Sequence, residues 1–157
     1  MPNSTRATLE LTKAGVPFTV HQYTYDPGAD RIGMQAAEAL REPARRVLKT
    51  LMAEVDGKPV CAIVPSDHEV SMKKLAAAFG GKHAQMLKPA DAERLTGYHT
   101  GGISPFGQKK HVPAVIEEAA LAEDYVFMNG GQRGLQVKLA PGDAVQVLNA
   151  TVAGVVA

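Results

Sequence analysis

Residues 47–64 read VLKTLMAEVDGKPVCAIV, and this stretch indicates the fold more clearly than any other part of the sequence. Residues 47–55 form a strand candidate in which alternate side chains share one face. Asp56-Gly57 has the composition of a tight hairpin turn, and residues 60–64 are an apolar return strand. We therefore predict an antiparallel β-hairpin in this part of the chain.

Further strands and short helices are predicted on both sides of this hairpin. Strands are expected at residues 18–23, 112–116, 125–128 and 134–139, and helices at 34–40, 72–79 and 88–95. A first helix is expected to begin after a cap at Asn3, Ser4 or Thr5 and to end at Gly15. Asp143 is the candidate cap of a last helix, which precedes a β-prone tail at 151–156. Because strands outnumber helices, we predict an α/β (α+β) fold with a mixed sheet or barrel and peripheral helices.

Length and composition predict one domain over residues 1–157, with an ordinary globular mixture of 45% hydrophobic and 21% charged residues. Cys61 is the only cysteine, which excludes an intrachain disulfide. The first residues lack the apolar core of a signal peptide, and no apolar run is long enough to span a bilayer. These observations favour a cytoplasmic protein. The net charge of +1 provides no global attraction to nucleic acid, so any such contact must come from a local cluster.

Lys49 is the sharpest functional candidate that the pattern alone provides. Its same-face neighbours Leu51 and Ala53 are apolar, and a buried ammonium group is costly unless it is paired. Two interpretations remain open on these grounds. Either the face is half covered and the lysine stem extends to water, or the lysine lines a pocket where it binds an anion or acts as a base or nucleophile.

A second candidate is the glycine-rich segment TGGISPFGQKK at residues 100–110. Consecutive glycines at Gly101 and Gly102 let backbone N–H groups approach a ligand and surround an oxyanion or a phosphate. The spacing matches neither a P-loop nor a dinucleotide-binding fingerprint, and a plain turn-rich loop is the alternative. The segment 129–134, NGGQRG, has two similar interpretations: a simple hairpin turn or a turn that faces a ligand.

Other reactive residue types carry weaker signals. The five histidines show no metal-ligand spacing. Cys61 lies in an apolar strand candidate, where a cysteine is usually a buried small hydrophobe and not a nucleophile. Basic residues gather at three places, where solvated charge is the default interpretation. The group beside the glycine-rich segment is the best placed of the three to meet a phosphate backbone.

Taken together, four strings resemble the YbaK-type Cys-tRNA(Pro) deacylases, whose family includes the editing domain of bacterial prolyl-tRNA synthetases. They are VLKTL at 47–51, TGY at 96–98, GGISPFGQKK at 101–110 and GGQRGL at 130–135. The resemblance runs over nearly the whole chain. It implies a compact α/β fold around a mixed, barrel-like sheet, and hydrolytic editing in trans of mischarged tRNA with no metal or organic cofactor.

The resemblance also implies a mechanism in which the substrate supplies its own nucleophile. The cysteine thiol attacks its own ester carbonyl and leaves as a thiolactone, so a substrate without a thiol does not react this way. Backbone N–H groups at Gly101 and Gly102 would stabilise the carbonyl oxygen, each contributing about 3 kcal/mol. Lys49 would hold the terminal adenosine end or the developing negative charge.

The resemblance assigns further residues to the substrate pocket, and the clusters of basic residues supply the candidate contacts for the tRNA. The expected substrate-binding residues are Tyr23, Ile32, Thr50, Ile103, Ser104, Asn129 and Gln136. The expected tRNA contacts are the basic side chains Lys73, Lys74, Lys109, Lys110 and Arg133. Neither a membrane nor DNA is an expected partner. Because the near-neutral charge predicts weak autonomous affinity for tRNA, we expect a synthetase partner such as prolyl-tRNA synthetase to supply selectivity.

The sequence departs from the family pattern around the expected pocket. Ile32 replaces a usual aromatic residue, Gln35 an acidic residue, Asn129 a serine, Gln132 a lysine and Gln136 an aspartate. These departures keep other functions open. A deacylase for another misacylated tRNA, such as Ala-tRNA(Pro), is the alternative within the class. A non-catalytic module that binds tRNA or a synthetase, and a lyase in which Lys49 forms a Schiff base, are alternatives from other classes.

Overall fold

The computed structural model describes residues 4–28 and 34–157. Within them, α-helices span Arg6–Ala14 (α1), Gln35–Leu40 (α2), Met72–Ala78 (α3), Pro89–Thr96 (α4) and Pro141–Leu148 (α5). The β-strands span Thr19–Gln22 (β1), Leu48–Val55 (β2), Lys58–Pro65 (β3), Ala84–Met86 (β4), Ala114–Glu117 (β5), Val126–Asn129 (β6), Leu135–Leu139 (β7) and Thr151–Ala153 (β8). Short 3-10 helices cover Ala44–Arg46 and Glu118–Ala122.

The predicted hairpin is confirmed, and it forms the centre of the larger sheet. Strands β2 and β3 pair antiparallel over their full lengths, with Lys49 opposite Val64. The turn residues Asp56 and Gly57 both have positive φ, at 49° and 81°, as the tightest hairpin turns require. Two backbone N–H groups, from Lys82 and His83, donate to the Asp56 carboxylate and lower its pKa, which ties this turn to the entrance of β4.

Two sheets make up the fold, and the predicted α+β class with a mixed sheet is confirmed. The larger sheet has the order β4-β2-β3-β5-β8, with antiparallel pairs at β4-β2-β3 and parallel pairs at β3-β5-β8. The smaller sheet is antiparallel and has the order β1-β7-β6. A bridge between Val47, just before β2, and Phe127 in β6 links the two sheets, so the whole has a barrel-like character.

Three groups of buried apolar side chains hold these layers together. The largest lies between the two sheets and includes Leu48, Met52, Ile63, Ile116, Met128, Val137 and the loop residue Phe106. A second fills the space between the other face of the larger sheet and α3, where Leu75 and Ala76 are buried. The third lies between the outer face of the smaller sheet and α2, around Phe127. Burial on both faces explains why β2 is apolar at most positions.

Local signals predicted both the first and the last helix, but they placed the start of the last helix incorrectly. Thr5 caps α1 through the N–H of Thr8 at 3.1 Å, and Gly15 closes the helix in the left-handed conformation; Asn3 lies outside the described residues. The prediction that Asp143 caps α5 is wrong. The helix begins at Pro141, whose missing N–H suits the first position, and Ala140 occupies the cap site without a side-chain bond. Asp143 lies in the first turn instead.

The short edge strand β4 was not predicted from the sequence. Its residues Ala84–Met86 pair with Ala53–Val55 of β2, and a three-residue strand leaves too few positions for an alternating pattern to be recognised. None of the described helices combines the length and the hydrophobicity needed to cross a bilayer.

Candidate active site

A cavity of about 290 Å³ lies between the middle of β2, the start of α4, the glycine-rich loop and the outer face of the smaller sheet. Its polar and glycine lining residues are Tyr23, Tyr25, Lys49, Thr50, Ser66, Thr100, Gly101, Asn129 and Gln136. Its apolar lining includes Leu48, Leu51, Met52, Leu87 and Ile103. The volume is at the lower end of the range for small-molecule sites. Seven of the predicted site residues, Ile103 among them, therefore meet in one cavity.

Lys49 is the one charged residue in the described lining of this cavity. The strand exposes Lys49, Thr50 and Leu51 partly, while residues on either side of this run are buried. Lys49 takes part in none of the ion pairs found within the described part of the chain. An ammonium group without a counter-charge in a concave wall favours an anionic ligand or an oxygen that becomes negative during a reaction.

The glycine-rich loop is anchored on two sides next to the cavity. The Thr100 N–H donates to Glu93 of α4 at 2.7 Å, and this bond is the main reason why the pKa of Glu93 is lowered. The Thr100 carbonyl accepts from Arg133 Nε at 2.8 Å. The Gly101 carbonyl accepts from Asn129 Nδ2 at 3.3 Å. These bonds hold the exposed backbone of Gly101 at the rim of the cavity.

Gly101 needs to be glycine for two reasons. Its φ of 89° lies in the region that side chains rarely adopt. A Cβ atom there would also lie 2.8 Å from the Tyr25 hydroxyl and 3.2 Å from Arg133 Nε. The Gly101 N–H makes no hydrogen bond with the described residues, so it is available to a ligand.

The structure does not place Gly102 where the predicted catalytic role requires it. Its N–H already donates to the His99 carbonyl at 2.8 Å, and the residue is buried outside the cavity lining. A Cβ atom on Gly102 would lie 2.8 Å from the backbone nitrogen of Arg133 and 2.9 Å from the carbonyl carbon of Gln132. The structure therefore assigns Gly102 a packing role, since only glycine allows the loop and the 129–134 turn to approach so closely.

One predicted substrate-binding residue, Ser104, is placed away from the described cavity lining. Ser104 is fully buried; its hydroxyl accepts from the Phe106 N–H at 3.1 Å, and its carbonyl accepts from Gln108 Nε2 at 2.9 Å. These bonds shape the glycine-rich loop from inside. Ile32 lies outside the described residues.

The outer face of the smaller sheet supplies the wall opposite Lys49. Asn129 of β6 and Gln136 of β7 are directly paired in the sheet, and Tyr23 follows β1 beside them. The pKa of Tyr23 is raised, mainly by burial and also by the nearby Tyr25, while a hydrogen bond from the Gln136 side chain opposes this change. Alternation along three strands thus brings three predicted residues onto one face.

Two oxygen atoms in this cavity are buried without a hydrogen-bond partner among the residues that the structure describes. They are Thr50 Oγ1 and Gln136 Oε1, and both residues line the cavity. Most buried polar groups in proteins have a partner, so each exception needs an explanation. Here both exceptions line the same cavity, where a bound ligand would supply the missing partners.

The five predicted tRNA contacts lie in three different places. Arg133 is at the rim of the cavity, with its guanidinium carbon 5.3 Å from the Tyr25 ring centre. Lys109 and Lys110 line a separate groove of about 490 Å³ on the other side of α4, which meets the cavity at Leu87. Lys73 and Lys74 are on α3, and neither lines the cavity or the groove; Lys74 Nζ donates to the Val156 carbonyl at 3.0 Å.

Sequence reasoning missed three polar lining residues: Tyr25, Ser66 and Thr100. The alternation of side chains along the strand that precedes Tyr23, continued by two residues, would have put Tyr25 on the same face as Tyr23. The Ser66 hydroxyl donates to the Val47 carbonyl and is therefore occupied. Cys61 is confirmed as a buried small hydrophobe, because burial raises the pKa of its thiol to about 12. Within the described ranges, no group of three or more His, Cys, Asp or Glu side chains is arranged to hold a metal ion.

Comparisons with known proteins agree with this geometry. The profile of the family described as the aminoacyl-tRNA editing domain matches residues 26–147. A protein of Enterococcus faecalis assigned as a Cys-tRNA(Pro)/Cys-tRNA(Cys) deacylase, EbsC, is 36% identical over 137 residues, covering 85% of this chain and 82% of its own. A proline–tRNA ligase of Anaeromyxobacter dehalogenans is 34% identical over 140 residues, but the match spans only 23% of that ligase.

One solved structure shows the same fold over the full chain. It is described as a trans-editing enzyme for prolyl tRNA synthetase, has a TM-score of 0.83 and is 21% identical, and the match covers 100% of this chain and 98% of its own.

Proposed function

The chain belongs to the aminoacyl-tRNA editing domain family, and from that premise we propose that it is a deacylase that removes cysteine from mischarged Cys-tRNA(Pro) in trans. One observation carries the proposal beyond the family. The uncompensated ammonium of Lys49 and the unused N–H of Gly101 belong to the same small cavity. A positive charge and a free donor that line one cavity are what a developing oxyanion needs.

In the proposed reaction, the protein positions the ester and stabilises charge. The substrate thiol loses its proton and its sulfur attacks the ester carbonyl carbon, which forms a tetrahedral intermediate with a negative oxygen. The Gly101 N–H donates to that oxygen and Lys49 stabilises its charge. The bond between the carbonyl carbon and the ribose oxygen then breaks, the proton goes to the ribose oxygen, and a cyclic thioester leaves. Fixing the thiol near the carbonyl supplies much of the rate acceleration.

The direction of the substrate follows from the exposure of the cavity lining. Thr100 and Gly101 are exposed and mark the rim, whereas Gln136 is 4% exposed and marks the deep end. The aminoacyl group is at the 3′ end of the tRNA and enters the cavity first, so the nucleotides remain near Arg133 at the rim. Lys109 and Lys110 are then the next cations available to the tRNA backbone, across α4.

The decisive experiment measures deacylation of Cys-tRNA(Pro), Ala-tRNA(Pro) and Pro-tRNA(Pro) by the full chain. Cysteine release is expected from the first substrate and not from the third. Lys49→Ala is expected to lower the rate about 100-fold, the effect of removing one oxyanion-stabilising group. Lys58→Ala makes the same change at the exposed first residue of β3 and serves as the control.

Three results would redirect the proposal. Undiminished activity of Lys49→Ala would remove the role assigned to Lys49. Preferential release of alanine would favour the alternative deacylase for Ala-tRNA(Pro). Binding of tRNA that weakens steeply with salt, with no release of any amino acid, would favour a non-catalytic binding module.

We also infer a cytoplasmic location and a synthetase partner, because the relatives of this chain are enzymes of translation. Co-purification of prolyl-tRNA synthetase with the full chain would support the partner. Tight autonomous binding of tRNA, with no synthetase retained, would contradict it.

A further inference from the structure

The most informative atom in the cavity is the oxygen of the Gln136 side-chain amide. Gln136 is 4% exposed, and its Oε1 atom is buried without a hydrogen-bond partner. An unpartnered acceptor in a buried position destabilises the folded protein relative to an apolar side chain of the same shape. A fold that retains such an atom at a cavity wall is suited to a ligand that donates a hydrogen to it.

The two ends of this amide differ in what they can bind. The carbonyl oxygen only accepts hydrogen bonds and the nitrogen only donates them, so the buried, unpartnered Oε1 atom requires a donor from the ligand. Thr50 Oγ1, the second unpartnered oxygen, can both donate and accept and is less selective.

The charge of the cavity limits the donor further. The titratable side chains in its described lining are Tyr23, Tyr25 and Lys49, and none of its described lining residues is acidic. A second cation beside Lys49 would have no counter-charge. The ligand group that meets Gln136 is therefore a neutral donor.

An aminoacyl ester offers few donors that reach the deep end of the cavity. The nucleotides stay at the exposed rim, so the α-amino group and the side-chain thiol are the donors that enter. A thiol is a weak donor, and in the proposed reaction its sulfur must be free to attack the carbonyl carbon. The uncharged α-amino group fits both the acceptor and the charge of the wall.

We infer that Gln136 Oε1 accepts a hydrogen bond from the α-amino group of the aminoacyl ester, so that the enzyme selects substrates whose α-amine is unblocked. This inference rests on the proposed deacylase function and adds the chemical group that the site reads.

Binding of stable analogues tests the inference without turnover. The probes are 3′-amino-3′-deoxyadenosine derivatives in which an amide replaces the ester, carrying a cysteinyl group or a 3-mercaptopropionyl group that lacks only the α-amine. The wild-type chain is expected to bind the cysteinyl probe about tenfold more tightly, the usual effect of one hydrogen bond to a buried acceptor. Equal binding of the two probes would overturn the inference.

Variants then assign the preference to Gln136. Gln136→Met has a similar shape without polar atoms and is expected to lose the preference, whereas Gln136→Glu keeps an acceptor and is expected to retain it. Gln146→Met makes the same change on the exposed side of α5 and is expected to behave as wild type. A Gln136→Met protein that still prefers the cysteinyl probe would overturn the inference. Thermal melting checks folding, and the melting temperature of Gln136→Met is expected to equal or exceed that of the wild type.

Two further arms separate the possible sources of the donor. Probes that lack the ribose 2′-hydroxyl test whether Gln136 binds the ribose instead of the amine. If Gln136→Met lost the preference for the 2′-hydroxyl and kept the preference for the α-amine, the assignment would be overturned. Deacylation assays are kept apart from these measurements. Amine-dependent binding without release of cysteine from Cys-tRNA(Pro) would refute the deacylase and support the recognition of the amine.

Discussion

Lys49 and Glu117 are both charged residues in apolar strands, and the structure gives them opposite surroundings. Glu117, at the end of β5, is 4% exposed, and its carboxylate accepts the N–H groups of Val155 at 2.7 Å, Val156 at 3.1 Å and Ala119 at 3.2 Å. Lys49 lies in a cavity wall and takes part in no ion pair of the described chain.

This difference separates a structural charge from a functional one. The partners of Glu117 are all supplied by the fold, so its charge is used to join the segment after β8 to the short helix after β5. No partner for the charge of Lys49 is found within residues 4–28 and 34–157, so this charge is available to a ligand. A charged residue in an apolar strand is therefore a functional candidate only when its partners are missing, and this cannot be judged before the surroundings are known.

The largest expected effect is on the deacylation rate and comes from removing the charge of Lys49. Lys49→Met keeps the apolar stem and removes the charge, so we expect the rate of Cys-tRNA(Pro) deacylation to fall by about 100-fold to 1,000-fold. The melting temperature is expected to stay the same or rise, because no internal partner of the ammonium is lost. Single-turnover deacylation and thermal melting measure the two effects. A large fall in melting temperature would show that the charge of Lys49 is structural.

The second prediction concerns the removal of the Glu117 carboxylate. Glu117→Ala leaves three backbone N–H groups without their acceptor, and we expect a loss of about 3 kcal/mol in the free energy of unfolding. Urea denaturation measures this loss. Because Glu117 is not in the cavity lining, the rate per folded molecule is expected to remain that of the wild type. A stable Glu117→Ala protein would contradict the structural role.

A third prediction concerns the two glycines beside Lys49. Gly102→Ala places a Cβ atom 2.8 Å from the Arg133 backbone nitrogen, so the loop must shift, and we expect a loss of about 1–3 kcal/mol in stability. The shift is also expected to lower the deacylation rate by moving Gly101. Replacing Ala78 by glycine at the end of α3 gives a control of similar size that is remote from the cavity. An unchanged Gly102→Ala protein would refute the packing role.

The smallest expected effect is on stability and concerns Glu93. Like Glu117, this residue accepts a backbone N–H, but its side chain is accessible to solvent. Its carboxylate accepts the Thr100 N–H, and its pKa is lowered chiefly for that reason. A carboxyl whose pKa is lower in the folded state stabilises the protein above its unfolded pKa, and this stabilisation disappears as the pH falls through its folded pKa. We therefore expect Glu93→Gln to lower the melting temperature slightly at neutral pH.

The same variant is expected to melt with the wild type in acid, once Glu93 is protonated in both states. Thermal melting across a pH series from neutral to strongly acidic measures the difference. A difference that persisted at the acidic end would show that Glu93 contributes through packing and not through its charge.

Signals that act over a few residues predicted much of the fold. The β2–β3 hairpin, the Thr5 cap and the Gly15 end of α1 follow from turn and cap chemistry within the segment itself. β4 and the start of α5 were missed or misplaced. β4 depends on pairing with a distant strand. At the start of α5, Pro141 favours the first helical position more strongly than Asp143 favours the cap position.

The candidate site divides in the same way. The resemblance marked Lys49, Gly101 and Gln136, and the structure brings them to one cavity. It also separates Gly101 from Gly102, whose N–H is occupied by His99, and it withdraws Ser104 into the interior of the loop. Adjacent residues in a loop have the same sequence signal, but the direction of each N–H or hydroxyl depends on contacts with other segments.

The sequence by itself determined the strand that carries Lys49, the glycines that allow a close backbone approach, and the family to which these strings belong. Only the tertiary structure decided which polar groups are left without partners. The reason is physical: strand and turn preferences are set by neighbouring residues, whereas the satisfaction of a charge, an N–H group or an amide oxygen depends on atoms that distant segments bring to it. The free ammonium of Lys49 and the free oxygen of Gln136 are properties of the folded arrangement, and they carry the proposed chemistry.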